Sequence, residues 1–241
     1  MEELKRKSEQ LNIALTEQQL EQFQTYYEML IEKNKVMNLT GITEKGEVID
    51  KHFIDSILLN KAVDTTKPLK ILDLGTGAGF PGIPLKIAYP NLNITLLDSL
   101  NKRIKFLEEV IEELGLQEIV AIHGRAEDYA KQKEHREQYD LCVSRAVANL
   151  ATLSEYCLPY VKEGGYFISY KSGAVEEELN QSKKAIQEFG GRVKEVIPFT
   201  LPETDIERTF VVIEKEKKTP KKYPRKAGLP AKEPIGFCMN K

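Results

Sequence analysis

Residues Ile71–Pro84 read ILDLGTGAGFPGIP, a short apolar run that contains Asp73 and leads directly into closely spaced glycines. The glycines are Gly75, Gly77, Gly79 and Gly82. Without a Cβ, glycine lets the backbone turn sharply and approach a ligand closely. In parallel α/β sheets, ligands bind beyond the carboxyl ends of the strands. The stretch therefore predicts a strand, a turn that binds a nucleotide-like ligand, and a helix.

Short apolar segments alternate with amphipathic segments on both sides of this stretch. The predicted strands are Lys70–Leu74, Asn93–Asp98, Ile119–His123, Tyr139–Ser144, Tyr166–Tyr170 and a closing antiparallel pair, Val193–Phe199 and Thr209–Glu214. The predicted helices between them include Asn101–Leu114 and Val175–Phe189. This alternation favours an α/β fold of the Rossmann-like type, a mostly parallel sheet with helices on both faces.

Three segments are predicted along the chain. Residues 1–66 form a helical N-terminal subdomain, in which apolar residues recur at helical spacing: Leu20, Phe23, Tyr27, Leu30 and Ile31. Residues 67–214 form the Rossmann-like domain. Residues 215–241 are rich in Lys and Pro without an apolar period, which predicts an extended or disordered tail.

Composition limits the classes of protein to consider. The 241 residues carry a formal net charge of -2, and their 41% hydrophobic content is typical of a globular protein. No apolar run approaches the roughly 20 residues of a membrane span, and the charged N-terminus does not resemble a secretory signal. The three cysteines are too widely spaced for a disulfide framework or a zinc site. We expect a cytoplasmic monomer without a bound metal.

Two cofactor classes fit the glycine-rich turn. Gly77, Gly79 and Gly82 spell G-x-G-x-x-G, the fingerprint of dinucleotide binding. However, Asp73 would repel a pyrophosphate and would suit the cationic amino acid portion of S-adenosylmethionine. Asp98, at the end of the second predicted strand, can accept hydrogen bonds from the ribose of either cofactor.

Several motifs give the chain a close resemblance to one family. They are NLTGIT (38–43), KHFIDS (51–56), LDLGTGAGFPGIPL (72–85), LLDSLNKRIKFL (96–107), GRAED (124–128) and SRAVA (144–148). In these motifs the chain resembles the glucose-inhibited division protein B family, bacterial methyltransferases that act on guanine N7 of small-subunit (16S) ribosomal RNA. The resemblance implies the class I fold of S-adenosylmethionine-dependent methyltransferases, with a seven-stranded sheet.

The resemblance also implies roles for individual residues. The positions that match cofactor contacts are Gly75, Gly77, Gly79, Phe80, Asp98, Ala126, Glu127 and Arg145. Ala126 and Glu127 would flank the adenine, and Asp98 would bind the ribose. The basic positions that match residues associated with activity are Arg145, Arg125 and Lys171.

The predicted chemistry needs little from the protein beyond positioning. Guanine N7 has an exposed lone pair and no proton, so its methylation requires no general base. Arg145 could donate hydrogen bonds to guanine O6 or hold a phosphate. Three other functions stay open from the residues alone: a methyltransferase for small molecules, a nicotinamide oxidoreductase, and a catalytically silent RNA-binding factor.

Two further features have competing interpretations. His52, Asp55 and Ser56 lie on one face of a predicted helix, and we favour a role in docking the N-terminal region over a catalytic role. The basic residues of the tail predict contacts with RNA phosphates, and Tyr223 among them could stack on a base. The alternative is that the tail only improves solubility.

Overall fold

The structure is a computed structural model that describes residues 1–145 and 148–236. Part of the SRAVA motif, Ala146 and Val147, therefore lies outside the described residues. The same is true of residues 237–241, which include Cys238 and the end of the predicted tail.

Seven strands form a single sheet in the order β3-β2-β1-β4-β5-β7-β6. Their bounds are β1 Lys70–Leu74, β2 Asn93–Asp98, β3 Ile119–His123, β4 Tyr139–Arg145, β5 Val161–Ser172, β6 Gly191–Thr200 and β7 Glu207–Lys215. All pairs are parallel except those that β7 makes with β5 and β6. The predicted strands and the closing antiparallel pair are confirmed. Strand order reverses between β1 and β4, which is where ligands bind in sheets of this kind.

Helices cover both faces of the sheet, as predicted. Their bounds are α1 Glu2–Gln10, α2 Glu17–Met37, α3 Lys45–Val48, α4 Asp55–Ile57, α5 Gly82–Ala88, α6 Asn101–Glu113, α7 Ala126–Tyr129, α8 Leu150–Cys157, α9 Glu176–Glu188 and α10 Leu229–Lys232. One hydrophobic cluster joins the N-terminal helices, α5 and α6 to the sheet. A second cluster joins α8 and α9 to the other face.

Helix α2 connects the N-terminal region to the glycine-rich turn. It begins with a capping box, in which Thr16 and Gln19 satisfy each other's backbone N–H groups. The predicted apolar face of this helix includes Tyr27, which is partly buried against the core, whereas its neighbour Tyr26 is buried completely. The Tyr26 hydroxyl donates a 2.6 Å hydrogen bond to the backbone oxygen of Ala78 inside the turn. A buried tyrosine needs such a polar partner, and this one ties α2 to the turn.

A continuous helical stretch follows α2 and carries the KHFIDS motif. Between α3 and α4, residues Ile49–Ile54 form a π-helical segment, and a 3₁₀ turn, Leu58–Lys61, ends the stretch. π-Helical turns are rare, and those that do occur are often located at functional sites. This one places His52 and Asp55 on the same side, facing the end of β4.

The C-terminal segment, defined here as residues 216–236, is packed against the domain, so the prediction of an extended or disordered tail is wrong for these residues. Tyr223 is 7% exposed, and its ring packs edge-to-face on Phe189 at 4.8 Å. Arg136 donates hydrogen bonds to the backbone oxygens of Thr219 and Tyr223. These contacts use one aromatic ring and backbone carbonyls, so they produce no periodic apolar pattern in the sequence. The division of the chain at residues 66 and 67 stays a prediction.

Candidate functional site

A cavity of about 820 Å³ opens at the carboxyl ends of β1, β2 and β4. Small-molecule sites commonly have volumes of roughly 300–1,000 Å³. Most of the residues predicted for the site line this cavity: Gly75, Gly77, Phe80, Asp98, Arg125, Ala126, Glu127 and Arg145. Gly79 and Lys171 are not among the lining residues.

The glycines of the turn have two different roles, lining the cavity and allowing close packing of helices. Gly75 and Gly77 have φ of 71° and 63°, which favours glycine, and both line the cavity. A Cβ on Gly77 would meet no atom within 4 Å, so a side chain there would enter open space. A Cβ on Gly79 would instead approach Ile83, Tyr26 and Leu107 within 2.9 Å. Gly79 is therefore required for packing of α2, α5 and α6 around the turn.

Asp73 lies beneath the turn, not in the cavity lining. Its Oδ2 accepts hydrogen bonds from Thr76 Oγ1 at 2.6 Å and from the backbone N–H of Gly82 at 2.8 Å. Burial raises the pKa of Asp73 to about 7, because losing water penalises the charge more than these donors stabilise it. The expectation that Asp73 faces a cationic part of the ligand is not met. Asp73 instead fixes the turn to the start of α5.

Asp98 lies in the cavity, where the sequence predicts the ribose-binding acid. Its carboxylate accepts hydrogen bonds from the backbone N–H groups of Gly77 at 3.0 Å and Leu100 at 2.9 Å. Arg103 Nη1 contacts the same carboxylate at 3.2 Å. A carboxylate offers about four acceptor positions, so Asp98 can hold the turn and still accept from a ligand hydroxyl.

Arg145, at the end of β4, is held by the KHFIDS motif. Its Nη1 donates to the backbone oxygen of Lys51 and to Asp55 Oδ2, each at 2.9 Å. Its Nη2 lies 3.2 Å from His52 Nδ1, and its guanidinium lies 5.1 Å from the centre of the Phe80 ring. The side chains of Arg145 and Asp55 are only 13% and 4% exposed. The guanidinium therefore has a fixed orientation at the cavity wall.

Asp55 also connects two strands. Its Oδ1 accepts a 3.1 Å hydrogen bond from Arg208 on β7, while Oδ2 binds Arg145 on β4. The Ser56 hydroxyl donates to the backbone oxygen of His52, one turn earlier in the same helical stretch. The predicted docking role of these three residues is therefore confirmed for Asp55, whereas the Ser56 hydroxyl bonds within its own helical stretch. His52 combines docking with a place in the cavity lining.

Both ring nitrogens of His52 have polar partners. Nδ1 lies 3.2 Å from Arg145 Nη2, which can only donate, and 3.1 Å from the backbone oxygen of Lys51, which can only accept. Nε2 lies 2.8 Å from Thr40 Oγ1, which also accepts from the backbone N–H of Ile42 at 3.0 Å. Burial, followed by the positive charge of Arg145, lowers the pKa of His52 to about 3. His52 is therefore neutral near pH 7.

The cavity wall around α7 also contains residues of α8 and of the C-terminal segment, which sequence reasoning missed. Ala126 and Glu127 line the cavity as predicted, together with Tyr156 of α8 and Ala227 and Gly228 of the C-terminal segment. The Gly228 N–H donates a 2.8 Å hydrogen bond to Glu127 Oε1. Gly228 and Pro230 in the stretch AGLP are typical of a turn, but nothing in the stretch indicates contact with the cavity.

The two remaining predicted basic residues differ in position. Arg125 is exposed at the cavity edge, immediately before α7. Lys171 is outside the lining and forms an ion pair with Glu178 Oε1 at 2.7 Å. The Lys171 ammonium also contacts the backbone oxygen of Ala148 at 3.3 Å. Lys171 thus borders the loop that follows β4, and its role in activity stays a prediction.

In residues 1–145 and 148–236, no cluster of three or more His, Cys, Asp or Glu side chains could hold a metal ion. In the same residues, every helix is too short or too polar to cross a membrane.

Comparison with known proteins identifies close relatives. A family model described as rRNA small subunit methyltransferase G, GidB, matches residues 19–207. Ribosomal RNA small subunit methyltransferase G of Lachnoclostridium phytofermentans is 57% identical over 225 residues, which cover 93% of each chain. The protein of the same name from Desulforamulus reducens is 53% identical over 232 residues, which cover 96% of this chain and 97% of the relative.

Solved structures support the same fold. The S-adenosylmethionine-dependent methyltransferase SibL matches with a TM-score of 0.50 at 17% identity, covering 68% of this chain and 55% of SibL. At this identity the likeness concerns the fold alone. Together with the sheet order, it confirms the predicted class I Rossmann-like methyltransferase fold.

Proposed function

Because this chain belongs to the rRNA small subunit methyltransferase G family, we propose that it transfers a methyl group from S-adenosylmethionine to N7 of a guanine in small-subunit (16S) ribosomal RNA. The relatives' names support the RNA substrate, and the resemblance of the motifs supports guanine N7. The observation that carries the proposal is that a cavity large enough for the cofactor has Arg145 at its wall, where Asp55 holds the guanidinium in a fixed orientation.

The cavity lining fits S-adenosylmethionine, which supplies a methyl group on a positively charged sulfur. Gly77 leaves room for the ligand where any other residue would place a side chain. Asp98 has acceptor capacity for ribose hydroxyls, and Ala126 and Glu127 form a wall for the adenine. The proposed transfer needs no metal ligands from this lining.

The chain's own residues then position the acceptor. Guanine N7 attacks through a lone pair, so the protein must orient the base and exclude water, which can contribute roughly 7–11 kcal/mol. Arg145 is oriented by Asp55 and Lys51, and it can direct its remaining N–H groups to guanine O6 or to a phosphate. His52 is not needed as a base, because guanine N7 carries no proton, and its low pKa makes it a weak base.

The rate of methyl transfer is therefore expected to be independent of pH across the neutral range. His52, with a pKa of about 3, stays neutral above pH 5 and does not titrate there. Asp73, with a pKa of about 7, loses its proton in this range, but it supports the cofactor turn and so acts on binding. Single-turnover rates at saturating cofactor and RNA, measured from pH 6 to 8, test this expectation. A tenfold rise per pH unit would indicate an acceptor that must be deprotonated.

Exposed lysines of the C-terminal segment are expected to contact RNA. Lys221, Lys222 and Lys226 are exposed, and Lys226 directly precedes the cavity-lining Ala227. Replacing all three with alanine should lower the log–log salt slope of RNA binding by ~2, since each lost single-strand contact contributes ~0.7. Filter binding across a salt series measures the slope.

A matched triple variant controls for the loss of charge. Lys67, Lys162 and Lys194 are also exposed lysines, but they surround a cavity at the opposite end of the sheet. Replacing these with alanine should leave the salt slope unchanged. Equal salt slopes for the two triple variants would show that the lysines of the C-terminal segment do not contact RNA. Tyr223 is buried, so we no longer expect it to stack on a base.

The three alternative functions differ from the proposed one in sheet order, in cofactor or in the ability to methylate RNA. A nicotinamide oxidoreductase usually has the sheet order 3-2-1-4-5-6, without the antiparallel strand that β7 forms here. Calorimetry with S-adenosylmethionine and with a nicotinamide dinucleotide separates these cofactors. Labelled methyl transfer to 16S ribosomal RNA separates the proposed enzyme from a methyltransferase for small molecules and from a silent RNA-binding factor. Cytoplasmic location and a monomeric state stay predictions.

A further inference from the structure

The C-terminal segment reaches the cavity at one place. Ala227 and Gly228 form part of the lining, and Gly228 has a φ of 81°, which favours glycine. The Gly228 N–H donates to Glu127 Oε1 at 2.8 Å, so this turn fixes one carboxylate oxygen of a predicted adenine-flanking residue. The position of Glu127 therefore depends on where residues 227 and 228 lie.

An ion pair three residues earlier holds this turn in place. Arg225 Nη2 and Nε contact Glu155 Oε2 at 2.6 Å and 3.1 Å, and Nε contacts Oε1 at 3.0 Å. The backbone N–H of Arg225 also donates to Glu155 Oε1 at 2.8 Å. The paired arrangement of a guanidinium and a carboxylate is strong and geometrically specific. It joins the C-terminal segment to α8, the helix that also contributes Tyr156 to the cavity.

The burial of this pair separates it from ordinary surface ion pairs. The Glu155 side chain is 1% exposed and that of Arg225 is 20% exposed. In the same segment, Lys222 and Glu188 form an ion pair whose side chains are 66% and 39% exposed. An exposed pair contributes little, whereas removing one partner of a buried pair leaves a charge without compensation. Arg225 is thus the side chain whose loss should release the turn.

We propose that Arg225 and Glu155 are positioning residues for the cofactor, because they hold the Ala227–Gly228 turn against Glu127 and so complete the adenosine end of the cavity. The proposal rests on the proposed use of S-adenosylmethionine. Loss of the segment would weaken cofactor binding as well as RNA binding.

Calorimetry with S-adenosylhomocysteine, the stable product of methyl transfer, tests the proposal on the full chain. Arg225→Ala is expected to raise the Kd at least tenfold, and Arg225→Lys should give an intermediate value because lysine keeps the charge but loses the paired geometry. Lys218→Ala, at an exposed lysine of the same segment, is the control and should bind within twofold of wild type. In methyl-transfer kinetics, Arg225→Ala should raise the KM for S-adenosylmethionine with little change in kcat.

Hydrogen exchange of the wild-type protein provides a second test that does not depend on the stability of a variant. S-Adenosylhomocysteine should slow exchange in the peptide that contains residues 225–229, as it should in the glycine-rich turn. Protection of the glycine-rich turn without protection of residues 225–229 would overturn the positioning role while leaving the proposed function intact. A wild-type Kd for Arg225→Ala would have the same consequence. A wild-type protein that binds no S-adenosylhomocysteine would overturn the proposed cofactor and the positioning role together.

Discussion

Replacing Gly77 with valine is expected to weaken S-adenosylmethionine binding about 100-fold, which corresponds to about 2.8 kcal/mol. Gly77 lines the cavity, and its φ of 63° and the open space beside it direct any side chain toward the ligand. Its N–H also donates to Asp98, so a shift of the backbone would disturb the ribose acceptor. Calorimetry with the purified variant measures the loss.

Gly115→Val provides a control with matched backbone strain. Gly115 has a φ of 60°, and a Cβ there also meets no atom within 4 Å, but this glycine follows α6 and does not line the cavity. Both variants force a side chain into the left-handed region, at a cost of roughly 1–2 kcal/mol. If both variants lose similar stability but Gly115→Val keeps the wild-type cofactor affinity, the loss of affinity in Gly77→Val arises at the cofactor site and not from backbone strain. Wild-type affinity in a folded Gly77→Val would place the cofactor elsewhere.

Replacing Asp55 with alanine is expected to lower the free energy of unfolding by about 3–5 kcal/mol and the methyl-transfer rate about 100-fold. The substitution leaves Arg145 and Arg208, at 13% and 18% side-chain exposure, without their shared carboxylate. Removing one partner of a buried ion pair typically costs this much, because the remaining charge stays desolvated. The rate should fall because the guanidinium of Arg145 loses its fixed orientation at the cavity wall. Urea unfolding and single-turnover assays measure the two effects.

Arg208→Ala separates stability from activity. It removes a partner of Asp55 on β7 but retains the contact between Asp55 and Arg145. We expect a smaller loss of stability and a rate within a few-fold of wild type. If Asp55→Ala retained the wild-type rate, the orientation of Arg145 would not matter for catalysis.

The sequence predicted features that depend on local patterns. The ends of β1, β2 and β3 were predicted at the observed residues, because buried parallel strands appear as short apolar runs between turns. The glycine-rich turn and Asp98 were identified because their spacing along the chain reflects one strand, turn and helix unit. In each of these cases the information lies within about 30 residues.

The features that could not be predicted depend on pairs distant in the sequence. Arg225 and Glu155 are 70 residues apart, and nothing in their neighbourhoods marks them as partners. Composition alone made the basic C-terminal segment resemble a disordered tail, although ion pairs, hydrogen bonds to its backbone carbonyls and one buried aromatic ring hold it in place. The apolar spacing of α2 included Tyr27 but not Tyr26, whose complete burial depends on a contact with the carbonyl of Ala78, 52 residues away.

Mass spectrometric mapping of 16S ribosomal RNA, from cells with and without this gene, tests the proposed function most directly. Deletion should abolish 7-methylguanosine at one position. The wild-type gene should restore it, and a gene carrying Arg145→Ala should not. An unchanged 7-methylguanosine content in the deletion strain, or loss of a different modified nucleoside, would contradict the proposal.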